Sequence, residues 1–319
     1  MTVYKLLTPP GQQEETADPY RPVWRSVIVE SALLVLVTLA VFLAFGLLGL
    51  QLPAVLTPVI NGLLVALPVL LWLIFSVWRE RAVPEPRARL VAVFIITALA
   101  ANALAIPLIE GVLQPERWLP LGGAISRIIG YAFTVGIVQE TTKYAVVRFI
   151  TWPDFFRTRL DSVAYCVASA LGYALVLNLR FLFSGANVTP DVMAMQVFDN
   201  VAVNLAASLI VGYGLAEVHF DKPMPFLLMI TVALGALVNG IVIPLRSGLT
   251  NAAFVLPTST ETPSLLDNLI GLFASQSSTP KPILGFAFSA IVLAVFGVLV
   301  TFLFSNAERQ AREAAKRDD

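Results

Sequence analysis

Eight long apolar stretches, at roughly 26–50, 54–78, 88–112, 121–149, 161–184, 191–217, 224–247 and 282–305, leave this chain few folds to choose from. A bilayer core about 30 Å thick is crossed by about 20 residues of α-helix, and each stretch is long enough. Backbone polar groups cannot go unpaired in hydrocarbon, so helices are the simplest way to bury such runs. Composition agrees: 57% of the 319 residues are hydrophobic and 13% are charged, with a mean hydropathy of +0.81. A soluble domain carries about 25% charged residues, so this chain has too little charge to cover a water-facing surface. The expected fold class is an all-α, polytopic membrane bundle of about eight transmembrane helices.

The basic residues orient the bundle. Cytoplasmic loops of membrane proteins carry an excess of Lys and Arg. With both termini cytoplasmic, that side holds Lys5, Arg21 and Arg25, then Arg79, Arg81, Arg87 and Arg89 in the second loop. Arg148, Arg157 and Arg159 follow in the fourth, Lys222 in the sixth, and Arg309, Arg312, Lys316 and Arg317 in the tail. Against these fifteen, the opposite side has four: Arg117, Arg180, Arg246 and Lys281. Trp24, Trp78, Trp118 and Trp152 fall at the expected interfaces. A multi-pass protein of the cell (plasma) membrane is expected, such as a bacterial inner membrane, with the lipid bilayer as its first partner.

Domain organisation follows from the same pattern. Residues 1–25 form a polar N-terminal tail, 26–305 the transmembrane bundle and 306–319 a polar C-terminal tail that reads as a helical extension. The first apolar run is too long for a signal-peptide core and lacks a small-residue cleavage pattern after it, so it reads as retained. An outer loop over 249–280 is rich in Ser, Thr and Pro; its segment Leu265–Phe273 reads either as a short interfacial helix or as a capping loop.

Several function classes drop out. The 21 basic and 21 acidic residues cancel, so no strong field attracts nucleic acid. One cysteine, Cys166, excludes a disulfide framework. No phosphate-binding loop is visible, and no cofactor is expected. One histidine, His219, near the end of the sixth stretch, cannot build a His-based zinc site, so no metal site is expected; it reads as an interface or surface residue.

Polar residues inside the apolar stretches are the candidates for function, since each is costly there. The fourth stretch carries Arg127, Gln139, Glu140, Thr141, Thr142 and Lys143. Glu140 and Lys143 stand at i,i+3 and can pair on one face, with Glu140 near the midplane. The fifth starts at Asp161, has small residues at Ala164, Ala168 and Gly172, and continues to Tyr173, Asn178 and Arg180. Gln196, Asn200, Asn204 and Ser208 form an i,i+4 row in the sixth, with Asp199 beside it, and Asn239 lies mid-stretch in the seventh. These groups read either as interhelical glue or as the lining of one central pocket.

From about Gly136 to Pro244 the sequence resembles the PrsW family of intramembrane proteases, distant relatives of the CAAX-processing prenyl endopeptidases. The PrsW-like core spans about 121–247. The family's Glu-Glu-x-x-Lys motif reads Gln139-Glu140-Thr141-Thr142-Lys143 here, and its next block is matched by Asp161, Tyr165, Gly172, Tyr173, Ala174 and Asn178. Gln139 stands for the first Glu, Leu177 for a later Glu, and Asn204 and Asn239 where the family has histidines. The resemblance implies Glu140 and Lys143 as the catalytic or vestigial pair, with Gln139, Asn178, Asn204, Asn239 and Asp161 lining a substrate cleft.

Peptide hydrolysis needs a group that activates water and usually one that protonates the leaving amine. Asn204 and Asn239 cannot supply that proton, although they can donate hydrogen bonds. The expected function is therefore a catalytically inactive PrsW-like protein. It would bind or regulate other membrane proteins or transmembrane peptides, or serve as an accessory subunit. An active glutamic-type endopeptidase using Glu140 with Lys143, with or without Asp199 or Asp161, and a transporter are the alternatives.

Overall fold

A computed structural model of the chain describes residues 23–81, 87–184, 188–220, 225–250 and 282–318. The N-terminal tail and the outer loop, with its interfacial segment, lie outside the described residues. Helices α1 (Val23–Leu47), α2 (Leu56–Trp78) and α3 (Leu90–Leu121) come first. Helix α4 covers residues 124–151, and α5 (Arg159–Leu182), α6 (Pro190–Phe220), α7 (Pro225–Thr250) and α8 (Pro282–Asp318) complete the bundle. No strand occurs among the described residues.

Seven of these helices are long and apolar enough to cross a membrane, and α4 is not among them. The physical reason lies in its own sequence: Arg127, Gln139, Glu140 and Lys143 interrupt the apolar run. At 1.5 Å per residue its length is still about 40 Å, comparable to its neighbours. The protein is a multi-pass membrane bundle in which α4 turns its polar face, Gln139, Glu140 and Lys143, inward and leaves Ile129, Phe133 and Phe149 exposed on the other.

Helix α6 is the axis of the bundle. Its apolar window is 89% buried, against 17% for α1 and 22% for α8. It packs against α5, α7, α8, α2 and α1. Side chains such as Phe198, Ala202, Ala206 and Leu209 close that core, while Ile28, Leu36, Val295 and Phe302 on the outer helices stay exposed. In hydrocarbon this is the expected polarity, because apolar outer faces cost nothing there.

Two close approaches set the site. A Cβ on Gly136 of α4 would overlap the Ala236 carbonyl of α7, and one on Gly172 of α5 would overlap the Phe94 carbonyl of α3. Only glycine permits these backbones to meet. Just before Gly136, α4 widens into a π-helical turn at Ala132–Gly136. Such a turn adds a residue to the helix and rotates every face that follows, and it often marks a functional site.

The turns at one end are tied together. Arg87 pairs with Asp161 at 2.6 Å and also with Glu80. Arg89 donates to the Ile150 carbonyl at 2.8 Å, and Arg159 pairs with Glu217 at 2.6 Å. These contacts link the second and fourth turns to each other and to the end of α6. At the other end, Asn61 donates to the Val188 carbonyl at 2.9 Å and Arg180 pairs with Glu110. The alternation of ends is that of a chain passing back and forth.

Two residues expected at an interface are instead buried. His219 is 1% exposed and Trp152 is 4% exposed. Residues after α4 fold beneath the end of α6, so His219 packs edge-on against Trp152 and Phe156, at centroid distances of 4.9 and 5.5 Å. Phe156 in turn stacks on Tyr165 at 5.8 Å.

Candidate functional site

Helix α4 brings Glu140 and Lys143 to the interior, where they are 0% and 3% exposed and pair at 2.7 Å. Two charges inside a bundle stay ionised only if each is paired and hydrogen-bonded. Asn239 of α7 supplies one such bond, donating to Glu140 Oε1 at 2.9 Å. Lys143 Nζ donates to Asn204 Oδ1 of α6 at 3.0 Å. The pair is thus clamped from both sides by Asn204 and Asn239.

A polar chain continues outward from there. Asn204 donates to the Asn200 carbonyl at 2.9 Å, and Asn200 donates to Asn178 Oδ1 of α5 at 2.8 Å. Gln196 donates weakly to Asn200 Oδ1 at 3.4 Å. On the other side of Lys143, Ser169 and Thr97 share a hydrogen bond of 2.9 Å. Polar groups from α3 to α7 therefore form interhelical glue and also meet at one place.

Beside this network lies a cavity of about 330 Å³. Gln139, Tyr173, Asn200, Asn204 and Asn239 line its polar wall, Val135, Leu177 and Val203 its apolar wall, and Glu110, Glu116, Arg117 and Arg246 its mouth. Glu140 and Lys143 do not line it. Helix α4 faces the cavity through Tyr131, Val135 and Gln139, and the ion pair sits behind the amides. Tyr173 and Gln139 each bury a polar atom without a hydrogen-bond partner, the Tyr173 hydroxyl and Gln139 Oε1, and so does Glu140 through Oε2.

The expected site residues thus divide into two groups. Gln139, Glu140, Lys143, Asn178, Asn204 and Asn239 come together. Asp161 does not join them: it caps α5 in a reciprocal arrangement with Thr158 and pairs with Arg87. Its Oδ2 accepts from the backbone N–H groups of Arg157 and Thr158, both at 2.8 Å. A carboxylate spent on a helix cap and an ion pair is a fold element. Sequence reasoning passed over Tyr173 and Arg246 as cavity residues, although an aromatic hydroxyl and a cation within apolar runs were the available signals.

Residues 85–243 match the family model described as PrsW family intramembrane metalloprotease. This half of the chain is PrsW-like. A curated relative, "Protease PrsW" of Clostridioides difficile (strain 630), is 25% identical over 162 residues, which cover 50% of this chain and 66% of that protein. The chain thus matches just under two thirds of the relative's length. No solved structure matches. The PrsW-like region begins well before Gly136 and includes α3, whose Phe94 carbonyl receives Gly172 of the Tyr173 helix. Helix α3 carries few polar residues within its apolar run, so its share in the family core was invisible in motifs.

A metal does not fit the donors present. A hydrolytic metal site takes about three His or carboxylate ligands around an open position. The inner wall offers amides and phenols, the carboxylates Glu110 and Glu116 lie at the mouth with Glu110 paired to Arg180, and Glu140 is engaged by Lys143 and Asn239. Among the described residues no group of three or more His, Cys, Asp or Glu is placed to hold a metal ion. What the wall can do is donate and accept hydrogen bonds in a site partly closed to water.

Proposed function

We propose that this PrsW-like membrane protein keeps the family's intramembrane cavity as a binding site for polypeptide segments of other membrane proteins and does not hydrolyse them. The observation that carries the reading is the position of Glu140. The one carboxylate of the central network is sealed behind Asn204 and Asn239, and the cavity wall beside it presents amides and the Tyr173 phenol, with the carboxylates Glu110 and Glu116 out at the mouth. A general base must come within about 3 Å of the proton it takes, directly or through one water. Amides cannot take that part, but they match the N–H and C=O groups of a peptide. The cavity volume lies within the usual 300–1,000 Å³ of ligand sites, enough for a short stretch of chain.

Cleavage and binding assays on the reconstituted protein with hydrophobic peptides test this. Binding without cleavage supports it; cleavage that vanishes in Glu140→Gln overturns it. The second reading, hydrolysis by Glu140, is favoured by one observation, the unpartnered Glu140 Oε2. It requires the wall of Asn204 and Asn239 to open and admit water to that oxygen.

A further inference from the structure

The mouth of the cavity holds a cation that its partner positions without satisfying. Arg246 stands seven residues beyond Asn239 on α7, so two helical turns separate side chains on one face. It lines the same cavity. Its ion-pair partner is Asp199 of α6, at 3.8 Å, a distance too long for a hydrogen bond. Asp199 is 4% exposed and lies beside the Ser289 hydroxyl of α8, and its Oδ1 has no hydrogen-bond partner among the described residues. A buried carboxylate thus draws the guanidinium to the mouth, and among the described residues its N–H fork makes no hydrogen bond.

The other charges of the mouth do less. Glu110 is already paired with Arg180. Glu116 and Arg117 are adjacent and exposed, where ion pairs contribute little. Arg246 is only 21% exposed, so a bond made there is less screened by water.

We propose that Arg246 binds a carboxylate carried by the peptide that occupies the cavity, with Asp199 as its positioning residue. This rests on the peptide-binding reading above. A planar guanidinium takes a carboxylate through two parallel N–H···O bonds, a geometry that an ammonium cannot offer. At 1.5 Å per residue, Arg246 lies about 10 Å along α7 from Asn239. A peptide held by its acid at the mouth therefore runs its next two or three residues past Asn200 toward Gln139 and Asn239. The carboxylate comes either from a chain's C-terminus or from an acidic side chain, and the chemistry at Arg246 is the same.

The test uses the full chain in lipid nanodiscs and fluorescent hydrophobic peptides in two matched pairs. One pair differs as C-terminal acid against C-terminal amide, the other as Glu against Gln near an amidated end. In at least one pair the acid form should bind about 10–100-fold tighter, the usual range for hydrogen bonds to a charged group. The pair that shows the preference identifies the source of the carboxylate. Arg246→Gln should bring the acid peptide down to the affinity of its neutral counterpart, Arg246→Lys should recover part of the difference, and Asp199→Asn should reduce it several-fold. Equal binding within both pairs, or a preference that survives Arg246→Gln, overturns the role of Arg246 and leaves peptide binding standing. If no peptide binds in any form, the binding reading fails and this proposal fails with it.

Discussion

Asn239 donates its side-chain N–H to Glu140 at 2.9 Å across 99 positions of sequence, joining α7 to the most polar turn of α4. This bond and the Lys143–Asn204 bond convert a carboxylate and an ammonium into a closed network. The network explains how α4 can carry two charges inside a membrane bundle. It also explains why the cavity beside it presents amides.

Breaking the pair from one side should be costly. Glu140→Leu leaves Lys143 buried with only Asn204 to hold it, and Lys143→Met leaves Glu140 with only Asn239. Each is expected to destabilise the protein by about 3–5 kcal/mol, the range for removing one partner of a buried pair. The double variant Glu140→Leu/Lys143→Met should lose less than either single one, since no uncompensated charge remains. Thermal or denaturant unfolding in detergent micelles, followed by circular dichroism, reads the difference.

The approach of α4 to α7 should be equally sensitive. Gly136→Ala places a methyl group against the Ala236 carbonyl. Overpacking of this kind costs about 1–3 kcal/mol. Because the same crossing sets the Asn239–Glu140 bond, Asn239→Leu should cost less in the Gly136→Ala background than in the wild type. A double-mutant cycle in unfolding measurements shows whether the two changes couple.

Much of the fold was legible in the sequence because membrane helices announce themselves by length. All eight apolar stretches correspond to helices, and the boundaries of α5 and α6 shift by only a few residues. The Glu140–Lys143 pair was legible because i,i+3 spacing is local. Its partners were not: nothing in the sequence near Asn239 or Asn204 says which α4 side chain each meets. The orientation of Gln139 and Glu140 was also hidden. Consecutive helix residues point about 100° apart, at 3.6 residues per turn, and the wide turn at Ala132–Gly136 rotates both. Asp161 illustrates another limit, since a carboxylate that opens a helix looks the same whether it caps that helix or lines a cleft. His219 and Trp152 sit at helix ends, and only the fold of the intervening turn buries them.

Asp161 should behave as a fold residue. Asp161→Asn weakens a buried ion pair with Arg87 and a helix cap together, and caps alone contribute about 0.5–2 kcal/mol. Loss of stability of at least 1 kcal/mol is expected, with peptide affinity in the cavity unchanged. Unfolding and binding measurements on the same preparation separate the two effects. A fall in affinity at unchanged stability would return Asp161 to the cleft.

Topology can be read by thiol labelling. Cys166 is buried, so the wild-type background should be low. Single cysteines at Arg81 and Asp154 should react from the cytoplasmic side, and cysteines at Glu116 and Ser184 from the other, as the distribution of basic residues requires. Labelling of Arg81→Cys and Asp154→Cys from opposite sides would contradict both that orientation and the clustering of their turns.

The most direct measurement is the cleavage assay on the purified protein in lipid nanodiscs, with hydrophobic peptides at concentrations where binding is saturated. The account predicts bound peptide and no product above background, with Glu140→Gln indistinguishable from the wild type in that respect. Product formed by the wild type and abolished in Glu140→Gln, at matched stability and binding, would contradict it.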